Sequence, residues 1–163
     1  MTTRKGIEVE ENLKLERVEW RVARVPWTIL LLLIAATLLG VFGDGPLSRV
    51  AAGSPDGPLW TRYDRALRFG SSTDVLIRAP IQPDGTLRLS IDRTLLDAFQ
   101  VERITPQPAA TTLDDSAVEY GFTGSAGAGA SIVFTLQPTR RGLVGGAIRS
   151  ADGRVELRQF VFP

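Results

Sequence analysis

From residue 25 to residue 42 the chain reads VPWTILLLLIAATLLGVF and carries no charged side chain; from Ile29 to Ile34 every side chain is a large aliphatic. At ~1.5 Å rise per residue this run makes a helix of ~27 Å, close to the ~30 Å hydrocarbon core of a bilayer. The pattern predicts one transmembrane helix over 25–43, anchored by Trp27, Leu30, Leu31, Leu32, Leu33, Ile34, Leu38, Leu39 and Phe42. Ala36 and Gly40 give it a small-xxx-small pair, a spacing that lets two helices approach closely.

Before the span, residues 1–24 form a charged arm. Leu15, Val18, Val22 and Val25 recur at helical spacing, and Leu13, Trp20 and Trp27 repeat every seven. This predicts an amphipathic helix at the headgroups with Trp20 and Trp27 at the interface. A solvated leader with a basic end, or a stripe docked on a partner's helix, fits the same pattern. Pro26 removes one backbone donor, and either kinks the passage into the span or opens a separate helix.

After the span, residues 44–57 are rich in Gly, Pro and Ser and keep no period, which reads as a short tether. From residue 58 the period becomes 2. Leu59, Thr61, Tyr63, Arg65, Leu67 and Phe69 share a face, with a bulge available to re-aim Arg65. Val75, Ile77 and Ala79, then Leu87, Leu89 and Ile91, read as two arms of a hairpin around Pro83-Asp84-Gly85. Residues 92–99 break the alternation with one helical turn that Asp92 is placed to cap. Val118, Tyr120 and Phe122, then Ile132, Phe134 and Leu136, are further inward rows; Leu143 to Arg149 and Val155 to Val161 close the domain around Ala151-Asp152-Gly153. About eight short strands are expected, forming an antiparallel immunoglobulin-like β-sandwich over 58–163. The fold class is mainly β, with an amphipathic helix and one transmembrane helix ahead of the sandwich.

Charge adds direction. The formal net charge is +1, so no field draws nucleic acid to the chain. Lys5, Lys14, Arg17, Arg21 and Arg24 crowd one flank of the apolar run, against Arg49 and Arg62 on the other. The positive-inside rule therefore places the N-terminus in the cytoplasm and the β domain in the periplasm. A cleaved signal peptide ending at Val50-Ala51-Ala52 is the competing reading, but the leader is too long and the cleavage point too far from the apolar run. An uncleaved signal anchor suits the lengths.

Cysteine and histidine are absent. No disulfide, thiolate or imidazole metal site, or nucleophile system built on Cys or His is available. GSAGAGAS at 124–131 lacks the Lys and Ser/Thr of a phosphate loop and lies between strands, so a hairpin connection is expected. Asp114-Asp115 and Asp92/Asp97 have neither calcium-loop spacing nor a sugar platform around them. No catalytic, cofactor or metal residue is assigned. The interface candidates are Trp20, Arg62, Arg65, Arg68, Phe160 and Phe162. The arginines suit lipid headgroups or an acidic partner, or else a charged edge that discourages strand pairing. The two phenylalanines form an outward patch or fall in the core.

Four stretches together carry a resemblance: Glu16-Arg17 to Arg24, the segment LGVFGDGPLSR at 39–49, IDRTLLDAFQVERITPQP at 91–108, and Gln159 to Pro163. With these the chain resembles a family of uncharacterised bacterial single-pass inner-membrane proteins with a small periplasmic β domain. The resemblance implies a membrane-protein partner, a small multi-pass companion, and no catalytic residue. The expectation is a non-enzymatic, membrane-anchored interaction or scaffold module that meets the lipid bilayer and an envelope membrane protein. The alternative is a lipid- or small-ligand-binding domain with an apolar cavity between its sheets.

Overall fold

The computed structural model describes residues 13–38 and 48–163, with side chains in the first segment from Arg24 onward. The chain divides into two compact units, 1–38 and 39–163.

The first unit contributes α1, Leu13–Leu38, which runs unbroken through Pro26. Pro26 therefore costs the helix one internal hydrogen bond without opening a second helix. Thr28 and Thr37 turn their hydroxyls back onto the carbonyls of Arg24 and Leu33, at 2.9 and 2.8 Å, which hides polar groups on an apolar surface. The apolar part described, Val25 to Leu38, spans only ~20 Å. Among the described residues, no helix is long and apolar enough to cross a membrane. The end of the expected span, with Leu39, Gly40 and Phe42, lies outside the described residues, as does the arm before Leu13.

The second unit is mainly β, and its strands make two sheets. They are β1 Arg49–Gly53, β2 Trp60–Asp64, β3 Ala66–Arg68, β4 Thr73–Pro80, β5 Thr86–Asp92, β6 Phe99–Thr105, β7 Ala110–Leu113, β8 Ala117–Thr123, β9 Gly129–Pro138, β10 Gly142–Arg149 and β11 Arg154–Phe162. One helical turn, α2 Arg93–Leu96, joins β5 to β6. The five-stranded sheet runs β1-β2-β4-β9-β6, and the six-stranded sheet β3-β11-β10-β5-β8-β7. All neighbours are antiparallel except β11 and β3, which run parallel.

Strict alternation builds the core. Val75, Ile77 and Ala79 on β4, Leu87, Leu89 and Ile91 on β5, and Ile132 and Phe134 on β9 are buried, as the period predicts. Rows from both sheets join in one cluster, and Tyr120 meets Phe134 edge-on at 5.3 Å. Each fully buried Leu, Ile or Phe contributes about 1.5–3 kcal/mol, and a one-residue slip would turn a whole row outward.

Several expectations change. The strand drawn from Leu59 to Phe69 is two strands in different sheets, separated by a bend at Arg65. Arg65 is exposed because the chain crosses from sheet to sheet there, and Phe69 lies beyond β3 at 39% exposure instead of in the core. Part of the expected tether is a strand: β1 pairs with β2 along its length, and Val50 and Ala52 pack against the core. β4 and β5 are not a hairpin, because the turn at Pro83-Asp84-Gly85 carries the chain between sheets; the connection at 124–128 does the same. Asp92 precedes α2 but makes no side-chain cap. Its carboxylate accepts instead from Ala147 N–H at 2.9 Å and from Arg149 Nη1 at 2.6 Å, tying the β5–α2 junction to β10.

Candidate functional site

Two surfaces concentrate the sequence-predicted site residues. The first is the apolar end of α1. Trp27, Leu31, Leu32 and Leu38 are 63–81% exposed, and Leu30, Leu33 and Ile34 are 48–52% exposed. At 100° per residue these positions surround the helix axis, so no polar face exists to turn toward water. Leu39 and Phe42 lie outside the described residues, and so does the side chain of Trp20.

The second surface is on the outer face of the six-stranded sheet. Alternation on β11 buries Val155, Leu157, Gln159 and Val161, so Phe160 and Phe162 point outward. The two rings meet edge-on at 4.8 Å, and Phe160 is 45% exposed. In register, Phe160 stands between Ala66 on β3 and Leu143 on β10, while Phe162 stands beside Arg68. Leu143 is 78% exposed. Arg141 lies over the ring of Phe69 at 4.7 Å, and Phe69 N–H donates to the carbonyl of Phe162. Arg65 is held at the same edge, since Phe160 N–H donates to its carbonyl at 2.7 Å.

The fold thus gathers Arg65, Arg68, Phe160 and Phe162, and separates Arg62 from them. Arg62 is on the outer face of the five-stranded sheet, on an inner strand between β1 and β4, so the charged-edge reading does not apply to it. Arg68 does lie on an edge strand, β3. Leu143, Arg141 and Arg158 complete the patch. Their membership depends on strand register, which a single sequence does not fix.

Arg62 opens on a different feature, a groove of about 610 Å³ that also borders Arg49, Asp74, Leu76 and Thr135. Thr135 Oγ1 donates to Asp74 at 2.8 Å across its floor. Further along this face Arg78 covers the Trp60 ring at 5.1 Å. The groove is broad and of mixed charge.

Between the sheets the space is different. The gap among Val75, Ile91, Leu95, Phe134 and Leu157 holds about 10 Å³. That is room for barely one water, and none for an acyl chain. The apolar cavity required by the ligand-binding alternative is not found at this place. Three of the four carboxylates singled out earlier have partners within the fold: Asp97 faces Arg93 at 4.0 Å, Asp114 accepts from Ser116 at 3.4 Å, and Asp92 is bound as described. No group of three or more acidic residues capable of holding a metal occurs among the described residues. Asp84 is held below the ordinary aspartate range. The Thr86 hydroxyl is the main cause, and the Thr86 backbone N–H adds to it. Burial pushes the Tyr120 hydroxyl up.

No protein-family model matches the chain, and no curated protein matches it.

Proposed function

We propose that the protein is a membrane-anchored, non-enzymatic interaction or scaffold module, an accessory subunit of an envelope membrane-protein assembly. The observation that carries this reading is α1 from Val25 to Leu38, with large apolar side chains exposed around its whole circumference. Water is a poor solvent for such a surface: each fully exposed Leu or Ile forgoes about 1.5–3 kcal/mol relative to apolar surroundings. A bilayer supplies those surroundings, and the sequence continues the apolar run through Leu39–Phe42 to a spanning length. The basic flank orients the anchor with the N-terminus cytoplasmic and the β unit periplasmic, in a bacterial inner membrane. The family resemblance and its implied multi-pass companion point the same way.

The sandwich itself we read as immunoglobulin-like with a rewired middle. β2-β4-β9-β6 occupy the places of strands A-B-E-D, and β11-β10-β5-β8-β7 those of G-F-C-C′-C″ in a variable-type domain. The chain visits three of these places in reverse, as D, C″ and C′. A filled core on such a frame favours display of outer faces over enclosure of a ligand.

The partner claim is tested by photo-crosslinking in cells from Arg62 and Leu76, in the groove. A discrete adduct with one membrane protein, absent when the crosslinker stands at Thr112 on the far sheet, is the expected result. No adduct from any position would contradict the scaffold reading.

A further inference from the structure

We propose that the outer face of the six-stranded sheet, at its β3–β11–β10 edge, docks on the anionic headgroups of the bilayer that holds α1. This inference rests on the membrane-anchored reading. Three observations select lipid as the occupant. The first is charge: Arg65, Arg68, Arg141 and Arg158 are all exposed, and no carboxylate lies within ion-pair distance of any of them among the described residues. The nearest acidic side chain along β11, Glu156, is matched to Arg154 at 3.2 Å. The second is composition. The apolar centre is Leu143 and Phe160, side chains with no hydrogen-bonding group, ringed by long cationic stems. Such side chains sink below the headgroup level while guanidiniums bind phosphate, which is the chemistry of an interfacial anchor. The third is reach: ten residues separate Leu38 from Arg49, and even fully extended they span at most ~35 Å.

A second copy of this chain is a poor occupant. A two-fold contact would set the same arginines against one another with no carboxylate between them. Docking by this face leaves the opposite outer face, with its groove at Arg62 and Leu76, turned away from the lipid and open to a protein.

The absence of cysteine makes the test direct. Full-length chain carrying a single Leu143→Cys, Ser131→Cys or Leu31→Cys change is labelled with an environment-sensitive fluorophore. Each is reconstituted into nanodiscs of phosphatidylcholine alone, or mixed with phosphatidylglycerol, and quenched with nitroxide-bearing lipids. Position 31 reads anchoring, position 143 the proposed surface, and position 131 the opposite sheet. The expected result is quenching at 31 in both lipids, at 143 only with phosphatidylglycerol, and at 131 in neither. High salt abolishes the signal at 143. Replacing Arg68 and Arg158 by Gln weakens docking about fivefold per arginine. No quenching at 31 overturns the anchored reading itself. Quenching at 31 with none at 143, or equal quenching at 143 and 131, overturns the docking proposal alone. So does a label at 143 that is shielded in native membranes but never in pure lipid, which would assign the surface to a protein.

Discussion

Gly146 shows how tightly individual positions are set. A Cβ there would stand 2.7 Å from the Cβ of Leu95, an atom that α2 cannot move without shifting as a whole. Gly146→Ala is expected to lower stability by about 1–3 kcal/mol, seen as a fall in the urea midpoint of the sheet signal with its slope unchanged. Asp92 is the second such position. Its carboxylate satisfies Ala147 N–H and Arg149 together, so Asp92→Ala strands a part-buried donor and a cation and should cost about 1.5–3 kcal/mol. Asp92→Asn keeps an acceptor for Ala147 and should cost less; equal losses would show that the charge carries the whole effect and the neutral acceptor none of it. Asp84 sets an acid dependence. Its folded-state pKa is lowered, so its contribution is present above the unfolded-state value of ~3.9 and lost as pH falls through the folded value. A shallower acid slope in thermal melts of Asp84→Ala is expected; an unchanged slope would mean that the Thr86 bonds also persist in the unfolded chain. None of these roles was legible in the sequence. An aspartate before a helical turn is the usual cap, and only the placement of β10 redirects Asp92 away from that job.

At the scale of elements, inward rows were legible and connections were not. Period-2 alternation depends on local pleat, so β4, β5, β8, β9 and β11 could be read with their buried faces correct. Which strand pairs with which depends on long-range docking, and so two turns read as hairpins carry the chain between sheets instead. The crossing at Arg65 was legible only as a break in pattern. It is held by Ser48, whose carbonyl accepts from Arg65 N–H at 2.8 Å and whose hydroxyl accepts from Ala66 N–H at 3.2 Å. Gln159, 1% exposed, donates to the Asp64 carbonyl at 2.8 Å from the far side. Ser48→Ala removes both bonds of the hydroxyl to Ala66, the one it accepts from the N–H and the one it donates to the carbonyl at 3.3 Å, and should cost about 1 kcal/mol or more. Amide exchange at Ala66 and Leu67 should rise while Leu87 and Leu89 stay protected; uniform loss would mean that the crossing is no separate element. β1 escaped the sequence reading because five residues among Gly and Pro are too few to establish a period.

For the molecule as a whole, the proposed direction across a membrane rests on the sequence alone, on an uncharged run beside a basic flank. The two-sheet unit adds a filled core and two unlike outer faces. One is an aromatic–arginine patch, and the other a mixed-charge groove on the opposite sheet. The patch was legible only in part. Arg65, Arg68, Phe160 and Phe162 could be named, but Leu143, Arg141 and Arg158 join them through register alone. Anchoring predicts that the protein needs its apolar run to stay with the membrane, and replacing Leu31 and Leu33 by Arg should release it into the soluble fraction. Each such charge at the middle of a span costs about 2.5–3.5 kcal/mol.

The most direct test of the central claim is cysteine accessibility combined with alkaline extraction of membranes from cells expressing the full chain. With Thr3→Cys or Asp152→Cys in the cysteine-free background, the protein should remain in the carbonate-washed pellet. Position 152 should react with a membrane-impermeant maleimide in spheroplasts, and position 3 only after lysis. Release by carbonate, or labelling at position 3 in place of 152, would contradict the account.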